Sequence, residues 1–307
     1  MKNVRIPLYI ALGVAIVGII LGSFLDLQLS TAIASENNYF GLAVSAIGPT
    51  LGFATVAVMG GGFVAFAIHG KYHIVLKIGF YILAACCLGV AIKYPAGEWF
   101  GINGFHDAAP EWAGYFIAAP LEIGAMVGGY FLFKNNQNKN MWIVFCIIIA
   151  LLLIALVAVI PAIKGTLHRP RYRTLSKYDI IDFHKWWEPY KEYETMIKEP
   201  YLIDKDNFKS CPSGHTAEAC IAVVTITFLP LSNEKFKKYH MPLMYGAFGL
   251  VVLVAFARVL AAAHFLSDVS WGATIMLVLL IIANEVVMRV KQLQLKQVPE
   301  AEENKAE

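Results

Sequence analysis

Long apolar runs separated by short polar segments set the rhythm of the chain. Eight of them, near 7–25, 47–69, 74–94, 112–133, 141–163, 214–231, 242–262 and 268–288, approach the roughly 20 residues that a helix needs to cross a hydrocarbon core. They are too long and too uniformly apolar for barrel strands, whose faces alternate, so the expected fold class is all-α: a polytopic membrane helix bundle of about eight spans. Gly60-Gly61-Gly62 in the second run and Gly124, Gly128 and Gly129 in the fourth predict close helix contacts there. The first run follows Lys2 and Arg5 as a signal peptide would, but it is long for a secretory core and is expected to remain as a span. From about 292 the pattern turns polar and then acidic, which predicts a frayed helix and a disordered tail.

Loop charges orient these spans. Lys2, Arg5, Lys71, Lys134, Lys139, Lys235, Lys237, Lys238, Arg289, Lys291 and Lys296 fall in alternate loops or termini, whereas 26–46 and 95–111 contain neither Lys nor Arg. The positive-inside rule then places both termini in the cytoplasm and leaves the loop 164–212 and the turn around 263–267 outside. The long outer loop holds ten Lys or Arg, nearly balanced by acids, and a run of rings at Trp186, Trp187, Tyr190, Tyr193 and Tyr201. Such rings favour the membrane interface, and Asp179 to Met196 is expected to form an amphipathic helix lying on the bilayer, either as a cap or above a substrate.

Composition agrees with a membrane protein: 58% of residues are apolar and 15% charged, against about 25% charged in soluble domains. A net charge of +3 makes no case for nucleic acid. The five cysteines lack metal-ligand spacing and read as packing residues, with Cys211 alone beside a candidate site.

Candidate chemistry gathers where the spans end on the outer side. His264 and Asp268 are four residues apart, which on a helix would put them on one face. A carboxylate beside an imidazole fixes its tautomer and leaves the other ring nitrogen free to attack. Arg258 lies six residues earlier, at the end of a span where a buried arginine is expensive. Lys164 and Arg171 arrive at the same level from another helix end, and three cations together call for an anion among them. Pro212-Ser213-Gly214-His215 enters the sixth run, with Ser213 as an N-cap, Gly214 opening the approach to the helix start, and His215 as a second imidazole. Taken singly, H-x3-D is an ordinary structural hydrogen bond, P-S-G-H a turn into a helix, and Arg258 a lipid-phosphate contact. Jointly they read as a phosphate cradle with a nucleophilic base and a separate acid.

This set resembles the type 2 phosphatidic acid phosphatase (PAP2) superfamily of membrane lipid phosphatases, relatives of vanadium haloperoxidases. The family pattern K-x6-R-P, P-S-G-H and S-R-x5-H-x3-D is met by Lys164-x6-Arg171, Pro212 to His215, and Arg258-x5-His264-x3-Asp268. Tyr172 replaces a proline and Ala257 a serine; the preceding Arg169-Pro170 is expected to supply the lost loop constraint. The resemblance implies His264 as nucleophile forming a phosphohistidine, Asp268 as its partner, and His215 as proton donor to the leaving group. It assigns Lys164, Arg171, Ser213, Gly214 and Arg258 to the phosphoryl oxygens, with no metal and no cofactor. It also implies a core of the last six spans (71–291), two additional N-terminal spans (1–70) and a cytoplasmic tail (292–307).

The expected function is hydrolysis of a lipid phosphate or diphosphate on the extracytoplasmic face of a plasma-membrane protein. Its substrate would be of the undecaprenyl diphosphate, phosphatidylglycerol phosphate or phosphatidic acid class. A flippase or transporter that binds such lipids without cleaving them is the alternative from another class. Glu122, near the middle of the fourth run, is expected as a helix-packing hydrogen-bond partner or a functional intramembrane acid, and His106-Asp107 as incidental.

Overall fold

In the computed structural model, residues 2–101, 105, 109–134, 139–232 and 234–303 are described; His106-Asp107 and the 135–138 part of the Lys134–Lys139 loop lie outside them. The described residues contain helices and turns and no strand. Four long helices come first: α1 (Lys2–Ile33), α2 (Tyr39–His69), α3 (Ile74–Phe100) and α4 (Tyr115–Phe133). Then α5 (Lys139–Ile154) passes through a π-helical turn at Ala155–Val159 into α6 (Ile160–Leu167). Short helices α7 (Tyr172–Lys177) and α8 (Tyr193–Met196) lie in the long loop, and α9 (Gly214–Ser232), α10 (His240–Leu260) and α11 (Leu266–Glu303) complete the bundle.

Among the described residues, seven helices are long and apolar enough to cross a membrane. The sixth run corresponds to α9 (Gly214–Ser232), of which Gly214–Phe228 is an apolar helical stretch among the described residues. Its surroundings are protein: Ala217, Ala219, Cys220, Ile221, Val223 and Val224 are almost wholly buried, and α9 packs on α2, α10 and α11. A helix enclosed by protein can carry Thr216, Glu218, Thr225 and Thr227 where a lipid-facing one would lose stability.

The N-terminal helices are woven into the bundle. Along α1 and α11, Arg5 pairs with Glu285 at 2.5 Å and Asp26 accepts the Ser267 amide at 2.9 Å, so the two helices run antiparallel. Twenty-one residues of helix separate those contacts, about 31 Å at 1.5 Å per residue, close to the thickness of a hydrocarbon core. Helix α2 packs against α3, α4, α9 and α10. The predicted glycine contact is partly present: a Cβ at Gly61 would strike the Met126 carbonyl and one at Gly129 the Val58 carbonyl, whereas Gly124 and Gly128 face open space.

One expectation is corrected. Of the segment Asp179 to Met196, only Tyr193–Met196 is helical. The rest is an irregular cap pinned to the bundle, with the Trp186 indole donating to Ser23 Oγ and the Tyr190 amide to the Leu167 carbonyl. It has its own apolar cluster of Ile181, Tyr190, Met196, Ile203 and Phe208. At the C-terminal end, α11 continues to Glu303, so the polar stretch from about 292, expected as a frayed helix and disorder, is helical as far as that residue.

Candidate active site

The three sequence stretches meet at one end of the bundle, and the local chain path explains how. Helix α6 stops at His168, whose left-handed backbone (φ 45°) turns the chain and whose ring stacks on Tyr193. Residues 169–171 then run extended beside 207–210, with the Arg171 amide donating to the Asn207 carbonyl and the Ser210 amide to the Arg169 carbonyl. Tyr172 occupies the first position of α7. Proline suits that position because its missing N–H is one that the helix leaves unpaired. A tyrosine costs little there, and its ring meets Phe265 edge to face.

His264 lies in the turn between α10 and α11 and is 1% exposed. Its Nδ1 is 2.6 Å from the Ser210 carbonyl, which only accepts, so Nδ1 carries the proton and Nε2 keeps its lone pair. Arg171 Nη1 stands 3.4 Å from that Nε2 and also donates to the Ala263 carbonyl. Asp268 does not hold the ring directly, because its nearest oxygen is 3.9 Å from Nδ1. The i,i+4 geometry predicted for one helix fails because α11 begins only at Leu266. Asp268 sits in its first turn and reaches back to the Phe265 amide at 2.9 Å, a capping-box contact. Ser210 joins the two: its hydroxyl donates to Asp268 Oδ2 at 2.5 Å while its carbonyl holds His264.

Arg169 is the residue that the sequence reading undervalued. It is 1% exposed and bridges two carboxylates, Asp268 on one side and Asp26 of α1, at 2.9 Å, on the other. Its Nη1 also donates to Ser267 Oγ at 2.9 Å and its Nε to the His184 carbonyl at 2.8 Å. A Cβ at Gly22 would sit 2.6 Å from the Ser267 amide. Glycine there is what lets α1 come close enough for Asp26 to reach in.

The predicted cradle residues come together, with additions. Arg258 is fully buried, and its carbonyl accepts the Ala263 and His264 amides, each at 3.2 Å. Lys164, Arg171, Arg258 and His215 all act electrostatically on His264, and Arg173 adds to the field at Arg258. The Asp206 carboxylate forms an ion pair with Arg171 at 3.1 Å and accepts a hydrogen bond from Arg173 at 3.0 Å. Burial raises the Asp206 carboxyl, but Arg171, Arg173, Lys164 and Lys209 outweigh it and hold the group below its ordinary value.

Ser213 is fully buried; its hydroxyl receives the Thr216 amide at 3.4 Å and the Thr216 hydroxyl at 3.1 Å, as an N-cap. A Cβ on Gly214 would meet nothing within 4 Å, so that helix start is open. Its first amides, which lack intrahelical acceptors, are available to an anion. Ala257, in the place of the family serine, is fully buried near Gly41 of α2. His215 is 7% exposed, and its Nε2 lies 2.8 Å from Glu98 of α3.

Burial first, then Arg171, Arg258, Lys164 and His215, hold the His264 imidazole well below its ordinary value of 6.5. It is therefore neutral, with its lone pair available, across the neutral range. The sign follows: below about 6.5 the unfolded chain binds the proton that the folded site rejects, so this residue's contribution to stability is lost as pH falls. The acid limb of kcat/KM that reports His264 is expected below pH 6.5. Arg171→Gln should move it upward, because one repelling cation is gone. Comparing both proteins on one substrate cancels the substrate's own ionisation, and an unmoved limb would remove Arg171 from the account.

Remaining candidates separate from this cluster. Burial and then Asp268 push the Cys211 thiol well above its ordinary value, which makes it a packing group and not a nucleophile. Glu122 is fully buried in α4, and among the described residues neither carboxylate oxygen has a hydrogen-bond partner, so the expected packing bond is not found there. Among the described residues no group of three or more His, Cys, Asp or Glu is arranged to hold a metal ion. Asp26, Glu98, Arg169, Asp206 and Ser210 were missed by sequence reasoning. Only Arg169, beside Pro170 within the first motif, carried a signal that could have found it.

A membrane-helix bundle that gathers imidazoles, guanidinium groups and a lysine under a polar cap has the make-up of an anion-processing membrane protein. The family profile of the PAP2 superfamily matches residues 139–292, and the chain belongs to that superfamily. Searches of curated proteins and of solved structures returned no match. Helices α1 to α4 lie outside the matched region, yet Asp26 and Glu98 come from them.

Proposed function

We propose that the protein is a lipid phosphate or diphosphate phosphatase working through a phosphohistidine at His264. The observation that carries this reading is the anchoring of His264. Its proton is fixed on Nδ1 by the Ser210 carbonyl, and Nε2 is left toward Arg171 in a cluster with Lys164, Arg258 and His215.

In the first step the Nε2 lone pair forms the N–P bond as the P–O bond to the leaving group breaks, and His215 gives that oxygen a proton. The phosphorylated ring is cationic, and Asp268, 3.9 Å from Nδ1 and tied to Ser210, stabilises it. In the second step water attacks phosphorus, His215 takes back a proton, and phosphate leaves His264 with its lone pair restored. Lys164, Arg171, Arg258 and the amides at Gly214 would hold the phosphoryl oxygens, with Ser213 shaping that helix start. Charge-assisted hydrogen bonds are worth about 1.5–3 kcal/mol each, so several directed at one phosphoryl group supply much of the acceleration.

The seven apolar helices support a substrate whose head sits at the interface and whose tail lies in the bilayer. Loop charges support cytoplasmic termini and an extracytoplasmic site. We likewise assign 71–291 to the phosphatase core, 1–70 to added spans and 292–307 to the tail. Purified protein in mixed micelles is expected to release phosphate from at least one lipid of a panel of undecaprenyl diphosphate, phosphatidylglycerol phosphate and phosphatidic acid. Binding without release across the panel would overturn hydrolysis and favour a carrier.

A further inference from the structure

The phosphatase reading, on which this inference rests, needs His215 to be a proton donor, and its surroundings oppose that. Burial above all, and then Arg258 from α10 and Lys164 from α6, disfavours a positive charge on the ring. Glu218, one turn along α9, shares the field of Glu98, Lys164 and Arg258. The group that contacts His215 itself is Glu98, in the last turn of α3, with its carboxylate 2.8 Å from Nε2. The Glu98 side chain is 28% exposed and that of His215 10%, so the pair sits where the site opens. No sequence motif connects α3 to His215, and α3 lies outside the family match.

We propose that Glu98 is the positioning residue that makes His215 an acid. A carboxylate only accepts, so it fixes a proton on Nε2, and Nδ1 becomes the nitrogen that carries the transferable proton. When the leaving oxygen departs from phosphorus it takes the Nδ1 proton. The ring then returns to neutral while Nε2–H stays on Glu98. When water attacks the phosphohistidine, Nδ1 takes the water's proton and the starting state is restored. Glu98 thus supplies the negative charge that offsets Arg258 and Lys164 whenever His215 is an imidazolium.

The signature of such a role is dependence on the leaving group. A good leaving group departs without a proton, and an alkoxide does not. Glu98→Gln is expected to lower turnover of a short-chain alkyl phosphate by about 10²-fold. It should lower that of p-nitrophenyl phosphate by less than about tenfold, because acid catalysis contributes little there. Glu98→Asp, which keeps the charge, should show the same selectivity in milder form and serves if the glutamine variant does not fold. In a His215→Ala background the Glu98 substitution should add little, since the two act as one unit. Equal losses on both esters, or full additivity with His215→Ala, would overturn the assignment. Wild-type protein that releases phosphate from neither ester nor any lipid of the panel overturns the phosphatase reading itself, and this assignment with it.

Discussion

His264→Ala is expected to lower phosphate release by at least about 10⁴-fold, the scale on which loss of a nucleophile in a coupled catalytic set is felt. Lipid binding should persist. The expected loss is large because no neighbouring group can take over the attack. Cys211 is held protonated by burial and by Asp268, and His215 is committed to Glu98. Binding should survive because Lys164, Arg171 and Arg258 are untouched and the imidazole donates to the Ser210 carbonyl, not to a substrate-holding group. The measurement pairs phosphate release with trapping of a labelled phosphoenzyme by alkaline quench, where phosphohistidine survives and acyl phosphates do not. Wild type should carry acid-labile label and the variant none. Label retained on His264→Ala, or release within tenfold of wild type, would refute the nucleophile assignment.

Why His264 was legible and its partners were not is a matter of sequence distance. His264, Asp268, Arg258, Pro212 to His215 and Lys164 to Arg171 belong to three short stretches whose internal spacing is fixed, and each stretch ends an apolar run. Apolar run length also revealed the helices. It does not separate a buried helix such as α9 from a lipid-facing one, because the two can be similarly apolar over a window. Asp26 and Glu98 are single acids near the ends of α1 and α3, over one hundred positions from the groups they touch. No periodicity registers that kind of contact. The His264–Asp268 pair is looser, at 3.9 Å, than a shared helix face implies, for a local reason: a four-residue spacing gives a shared face only if the helix has already begun, and here it begins between them. Ser210 was illegible because it acts partly through its carbonyl, which every residue possesses.

Arg169→Met is the second large effect expected, and it separates the buried ion cluster from the chemistry it supports. Asp26 and Asp268 are 2% and 0% exposed, and Arg169 is the cation between them. Removing it leaves two buried carboxylates facing each other, and breaking a buried pair from one side costs about 3–5 kcal/mol. Thermal unfolding of the detergent-solubilised variant should fall well below that of wild type, with activity reduced through Asp268 and hence through Ser210 and His264. Asp26→Asn alone should cost less, because Arg169 keeps Asp268 and the amide can still accept from Ser267. In the Asp26→Asn background Arg169→Met should cost less than it does alone, since one of the stranded charges is already gone, and that non-additivity measures the coupling. Strict additivity, or an Arg169→Met protein as stable as wild type, would mean that α1 merely packs beside the site. Coupling would show that the N-terminal helix, outside the region shared with the family, holds the carboxylate layer behind the nucleophile in place.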